Sequence, residues 1–244
     1  MDDKINDLEN YKEQESITED IPTLKRDIID KSIDKSSDAI EQDLNSDLSW
    51  LSDRYREVTN TSRKDVRLWE VEDFRKFVTD NPVAEKVFQR LKDSWLKVYV
   101  NDKTDVSFTH EFSIIMWMSD SVTEQSKYTM NLDKNATAYD VQKRKFIHEM
   151  CHSLRTLQEK EWLDLFDYSL KVRKAKVSIT KLWDLDRYGT FEEKAREDTV
   201  ELLRMYIQDS DNFKTYLWQI FKHPVTVDIF YQKVENCINA VIKD

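Results

Sequence analysis

Hydrophobic positions change their spacing several times along these 244 residues, and each change marks an element. Residues 1–22 are polar and acidic with few apolar positions, and they read as an acidic mobile tail. Between about 23 and 58, Ile29, Ile33, Ile40, Leu44, Leu48 and Leu51 recur at loose helical intervals, the pattern of one or two amphipathic helices that need a partner surface. Helical spacing returns over 65–79 with Val66, Trp69, Val71, Phe74, Phe77 and Val78. A further helix opens at Pro82, whose missing N–H is unneeded in a first turn, and carries Val87, Phe88, Leu91, Trp95 and Leu96 on one side. Residues 23–100 thus read as a helical N-terminal region.

From 101 the period shortens. The apolar, β-branched and aromatic run 112–118 predicts a strand, and the alternation of Tyr128, Met130 and Leu132 predicts a second over 127–132. Thr137-Ala138-Tyr139-Asp140 has the form of a capping box opening a helix over 138–158. At about 100° per residue, Phe146, Ile147, Met150, Cys151, Leu154 and Leu157 form one stripe, with His148, Glu149 and His152 on the opposite side. Beyond Trp162 an amphipathic, mostly helical stretch runs to about 185, with a β-branched break at 177–180. A turn is expected at Tyr188-Gly189-Thr190, and a second capping box, Thr190-Phe191-Glu192-Glu193, opens a helix to about 209. Helices over 211–222 and 226–242 follow, divided by Pro224. The expected class is α+β, mostly helical, with a small sheet, and residues 101–244 form its principal domain.

Composition supports this and removes several functions. A single glycine and three prolines leave little room for tight hairpins and none for a glycine-cradled phosphate loop or a dinucleotide fingerprint. The net charge is −10, but residues 1–48 hold 15 acids and 6 bases while the remainder holds 33 and 32. The body is therefore close to neutral and has no basic stripe, so nucleic acid is not an expected partner. Two cysteines do not make a disulfide framework. No apolar run reaches membrane-spanning length, and the first residues lack the basic and apolar regions of a cleaved signal. A monomer is expected that is cytoplasmic, or secreted without a cleaved signal peptide.

The chemistry is concentrated in His148-Glu149-Met150-Cys151-His152, an H-E-x-x-H pattern that uses two of only four histidines. On a helix, histidines at i and i+4 share a face and can hold one Zn²⁺, and the glutamate beside the first can deprotonate a water activated by the ion. The competing reading is a solvated helix face. A catalytic zinc takes a third protein ligand. His110 lies upstream at the start of a strand, and His223 before Pro224 is most simply a C-terminal helix residue favoured by the dipole. Carboxylates suit better: Glu197 and Glu201 are one helical turn apart beside an apolar face, so that Glu197 can ligate the ion while Glu201 hydrogen-bonds the far nitrogen of a ligating histidine. An ordinary acidic helix surface is the alternative. Cys151 projects into the apolar stripe and reads as core. A di-iron carboxylate site needs a second Glu-x-x-His, which the chain lacks.

In order and spacing, His148-Glu149-x-x-His152, Tyr188-Gly189-Thr190 and Glu197-x-x-x-Glu201-Leu202-Leu203-Arg204-Met205 resemble the zinc peptidases called gluzincins, and within them the catalytic-domain family of anthrax lethal factor. The resemblance covers about residues 105–210. It implies a zincin-like fold, in which a small sheet whose edge strand aligns substrate lies over a helix bearing both histidines. By that resemblance His148, His152 and Glu197 are zinc ligands, Glu149 is the general base, Glu201 is the acid behind a ligating histidine, and Tyr188 assists the oxyanion or leaving group. Cys151 departs from the small residue relatives often carry at its position, and no substrate-recognition domain is visible.

The function implied is zinc-dependent hydrolysis of a peptide bond in a protein or peptide substrate. Ile114, Met116 and Met118 would belong to the edge strand accepting an extended peptide, or else to a buried core strand. Two other readings stand beside it: a zincin-fold binding module without catalysis, and a pro-form held inactive by its acidic N-terminus.

Overall fold

A computed structural model describes residues 66–101, 107–118, 132–175, 179 and 190–243. The chain divides into two units, residues 1–48 and 49–244, and every described residue belongs to the second. The expected tail and the helices over 23–58 lie outside the described residues. So does the strand expected over 127–132, apart from Leu132, which is in no strand.

The described residues form a mostly helical α+β structure with one four-stranded mixed sheet. Its strands are β1 (Val66–Trp69), β2 (Lys97–Asn101), β3 (Phe108–His110) and β4 (Ser113–Trp117), arranged β1-β2-β4-β3. β2 and β4 are parallel, with Val98 opposite Ile114 and Val100 opposite Met116. β1 and β3 flank them antiparallel. The two inner strands are buried along most of their length, from Val98 to Asn101 and from Ile114 to Trp117. This is why their sequences run apolar instead of alternating.

Two expectations fail here. The helix expected over 65–79 is in fact β1 followed by a 3₁₀ helix, Val71–Phe77. Val66 and Trp69 have helical spacing, yet the backbone of β1 pairs with β2, and of its residues only Val66 is buried. Pairing with a neighbour overrides local periodicity. Ile114 and Met116 lie in β4, which has a partner on each side, so β4 is an inner strand and not the substrate edge. Both side chains are 0% exposed, and Met118 follows the strand's end. The core-strand reading is the one observed.

Six helices complete the structure: α1 (Pro82–Asp93), α2 (Ala138–Leu157), α3 (Glu159–Lys174), α4 (Phe191–Gln208), α5 (Ser210–Phe221) and α6 (Pro224–Lys243). Pro224 begins the last helix instead of standing between two. In α1, Asn81 caps the first turn by accepting from the amides of Val83 and Ala84, and its side-chain amide donates to the carbonyl of Gln208 at the end of α4. Trp95, assigned by periodicity to the buried side of α1, lies past the helix end with φ 74° and is 55% exposed. It occupies the left-handed position that glycine usually fills, and the amide of Leu96 closes the turn onto the carbonyl of Leu91. α2 packs on β3, β4, the 3₁₀ helix, α1, α3 and α4. Phe146, at the middle of α2, stacks on Phe74 with centroids 5.2 Å apart and also meets Phe77 and Phe88. No described helix is long and apolar enough to cross a membrane.

Candidate metal centre

α2 and α4 both begin with the capping boxes their sequences foretell. The Thr137 hydroxyl accepts from the amide of Asp140 and that of Thr190 from the amide of Glu193, while each acidic side chain accepts from the amide of its threonine. These caps fix where both helices begin. His148 and His152 come to one side of α2, and Glu197 and Glu201 come to the facing side of α4.

The apolar stripe of α2 is buried as expected, with Leu157 partly so. The opposite side is largely covered, with His152 partly buried. His148 is 9% and Glu149 6% exposed, covered by α4 and by the strand β3. This overturns the solvated-face reading, and the burial of Glu197 and Glu201 overturns the reading of an ordinary acidic surface.

His148, His152 and Glu197 each offer one ligand atom, and the three atoms lie within 4.8 Å of one another. Oε2 of Glu197 stands 3.2 Å from Nε2 of His148 and 3.7 Å from Nε2 of His152. Ligands bound tetrahedrally at about 2.0–2.1 Å are separated by about 3.3 Å, so these gaps suit an ion between the three atoms. The local chemistry agrees. Among the described residues no lysine or arginine pairs with Glu197, and its only partners are the two imidazoles. His148 lies between two carboxylates, with Nδ1 3.3 Å from Oε2 of Glu201. Burial opposes charge on His148, but hydrogen bonds with Glu197 and Glu201 prevail and hold its pKa well above the ordinary histidine value. Burial likewise works against the anionic forms of Glu197 and Glu201, and it is outweighed by the histidines around the first and by Arg204, His148 and Arg144 around the second. Both carboxyls stay below their usual range. A cation between Nε2 and Glu197 would take the place of a proton, so the residues fit a metal ion.

Glu149 is not in the ligand group. Its Oε2 accepts a hydrogen bond from Thr109 Oγ1 at 2.8 Å, which ties it to β3. Glu201 accepts from Arg144 Nη2 at 2.8 Å, Arg204 Nη2 at 2.6 Å and Arg204 Nε at 2.7 Å. Sequence reasoning missed all three of these supporting residues. Arg144 stands four residues before His148 and Arg204 three after Glu201, spacings that could have drawn attention to them; nothing local marks Thr109.

Tyr188 lies outside the described residues. Neither His110 nor His223 joins the ligand group. His110 ends β3, where burial lowers its pKa against the opposing charge of Glu111. His223 is not a C-terminal helix residue: its Nδ1 accepts from the amide of Thr226 at 3.4 Å, at the start of α6. Cys151 is fully buried, and burial raises its thiol pKa well above the usual value, in keeping with a core residue.

Compared with protein-family models, with curated proteins and with solved structures, the chain matches none.

Proposed function

We propose that this chain is a zinc-dependent endopeptidase of the gluzincin type, with a zincin-like catalytic domain acting on a protein or peptide. The supporting observation is the convergence of His148, His152 and Glu197, from two helices, beside a buried Glu149 that takes no part in the ligand group. Zinc bound there would act as a Lewis acid, activating a water and polarising the scissile carbonyl.

The remaining work belongs to the chain. Glu149 accepts the water's proton and returns it to the departing amine. Thr109 holds Oε2 of Glu149, which limits the base to orientations that leave its other oxygen for that proton. Glu201 accepts a hydrogen bond from Nδ1–H of His148, which keeps that proton on Nδ1 and leaves Nε2 free as a ligand. Substrate would approach as an extended segment on β3, since β4 is an inner strand and β3 has only β4 as a partner among the described residues. Such a segment would pass Thr109 and the base together. Tyr188 is proposed, from the motif resemblance alone, to assist the oxyanion or leaving group.

The test is Glu149→Gln in the full chain, assayed on a generic protein substrate with elemental analysis alongside. The variant should retain zinc and lose cleavage by about 10²–10⁴-fold, whereas His148→Ala should lose the metal. Full cleavage by Glu149→Gln would overturn the mechanism, and wild-type protein that binds zinc without cleaving any substrate would favour the binding module.

A further inference from the structure

Glu201 is more heavily bonded than its position behind a histidine requires. A carboxylate has about four acceptor directions. Oε1 accepts from Arg144 Nη2 and Arg204 Nη2, and Oε2 accepts from Arg204 Nε, so three directions are filled by guanidinium groups. The fourth faces Nδ1 of His148. The two arginines reach Glu201 from different helices. Arg204 is 4% exposed and comes from the next turn of α4, while Arg144 comes from α2, one turn ahead of His148. Arg144 keeps this contact although its Nε is buried with no hydrogen-bond partner, an arrangement that packing alone would not favour.

We propose that Arg144 and Arg204 are positioning residues of the metal centre, which clamp Glu201 in the one orientation that accepts the Nδ1 proton of His148. The inference rests on the zinc reading above and adds a requirement to it. A neutral imidazole has two tautomers, and the one it adopts follows the hydrogen bond made by its other nitrogen. With Glu201 pinned, the proton stays on Nδ1 and the lone pair of Nε2 is left on the side of Glu197, where it could serve as a ligand to a bound ion. With either arginine shortened, Glu201 gains an open acceptor direction and can turn away, and the orientation of His148 is no longer enforced.

The experiment compares full-length wild type with Arg144→Lys, Arg204→Lys, Glu201→Gln and the double variant Arg144→Lys/Glu201→Gln. Lysine keeps the charge but cannot form the two-pronged contact of Arg204, and at 144 its ammonium ends one bond short of the Nη2 that reaches Glu201; circular dichroism checks that each variant is folded. Zinc affinity is read by competition with a chromophoric chelator, and the His148 Nδ1 proton by nitrogen–proton NMR. Each single lysine variant should weaken zinc binding by about 10-fold or more and lose or broaden the Nδ1–H signal. The double variant should bind no more weakly than Glu201→Gln alone, because the arginine acts only through Glu201. Unchanged zinc affinity and an unchanged signal in folded Arg144→Lys and Arg204→Lys would overturn the proposal, as would additive losses in the double variant. Wild type that binds no zinc would refute the zinc reading instead, and the Nδ1–H comparison would still decide the clamp. Should a lysine variant fail to fold, Glu201→Asp, which withdraws the acceptor by one methylene and keeps its charge, takes its place with the same expected losses.

Discussion

Two neighbouring carboxylates on one helix have different work because of what reaches them. Glu197 has, among the described residues, two imidazoles as its ionic partners, whereas Asp198 is 0% exposed and is gripped by Arg173 of α3 through two hydrogen bonds of 2.7 Å. A buried carboxylate that loses a cation bonded to it through two hydrogen bonds is left charged and less well compensated in a poor solvent. Arg173→Met is therefore expected to destabilise the protein by about 3–5 kcal/mol, read as a shift in the urea unfolding midpoint. A change below about 1 kcal/mol would mean that Asp198 finds another partner. The sequence writes these two acids side by side with nothing to separate them, since the difference lies in α3.

At the scale of the element, α2 carries His148, Glu149 and His152 on 20 residues and opens at a capping box. Asp140 Oδ2 accepts from both the amide and the hydroxyl of Thr137, and these bonds hold its pKa below the ordinary aspartate value. A depressed folded-state pKa means that the cap contributes fully above the unfolded value of about 4 and fades as pH falls through the lower, folded one. Asp140→Asn should lose about 0.5–1 kcal/mol at neutral pH and should unfold with a flatter acid limb than wild type. Equal pH dependence of the two proteins below pH 4 would show that the cap's charge plays no part. This element was legible from end to end, from box to last turn, because its signals sit within four residues of one another.

For the whole molecule, a metal held by α2 and α4 would join two elements that also bound the core. Ligand that binds only the folded state stabilises it in proportion to the logarithm of its excess, about 2.7 kcal/mol at a hundredfold excess over Kd. For a body of about 200 residues this corresponds to roughly 5–10 °C in Tm. Removing metal with a chelator should lower Tm by that amount, and adding zinc back should restore it. The same treatment of His148→Ala should change nothing. An equal response in that variant would place the binding elsewhere.

Local order is what the amino-acid pattern disclosed: the H-E-x-x-H spacing, both capping boxes, the limits of α2 and α4, and the apolar run of β4. Each depends on residues a turn or a few positions apart, whose interactions survive any rearrangement of the rest. Partnership across the chain was decided by packing. Val66 to Trp69 is a strand because β2 lies beside it, β4 is an inner strand because β2 and β3 both pair with it, and His148 is buried because α4 covers it. Whether Glu197 meets His148, 49 residues away, depends on how α2 and α4 cross, which is settled by the aromatic core around Phe146 and by the buried face of α4, and no short stretch of chain encodes that.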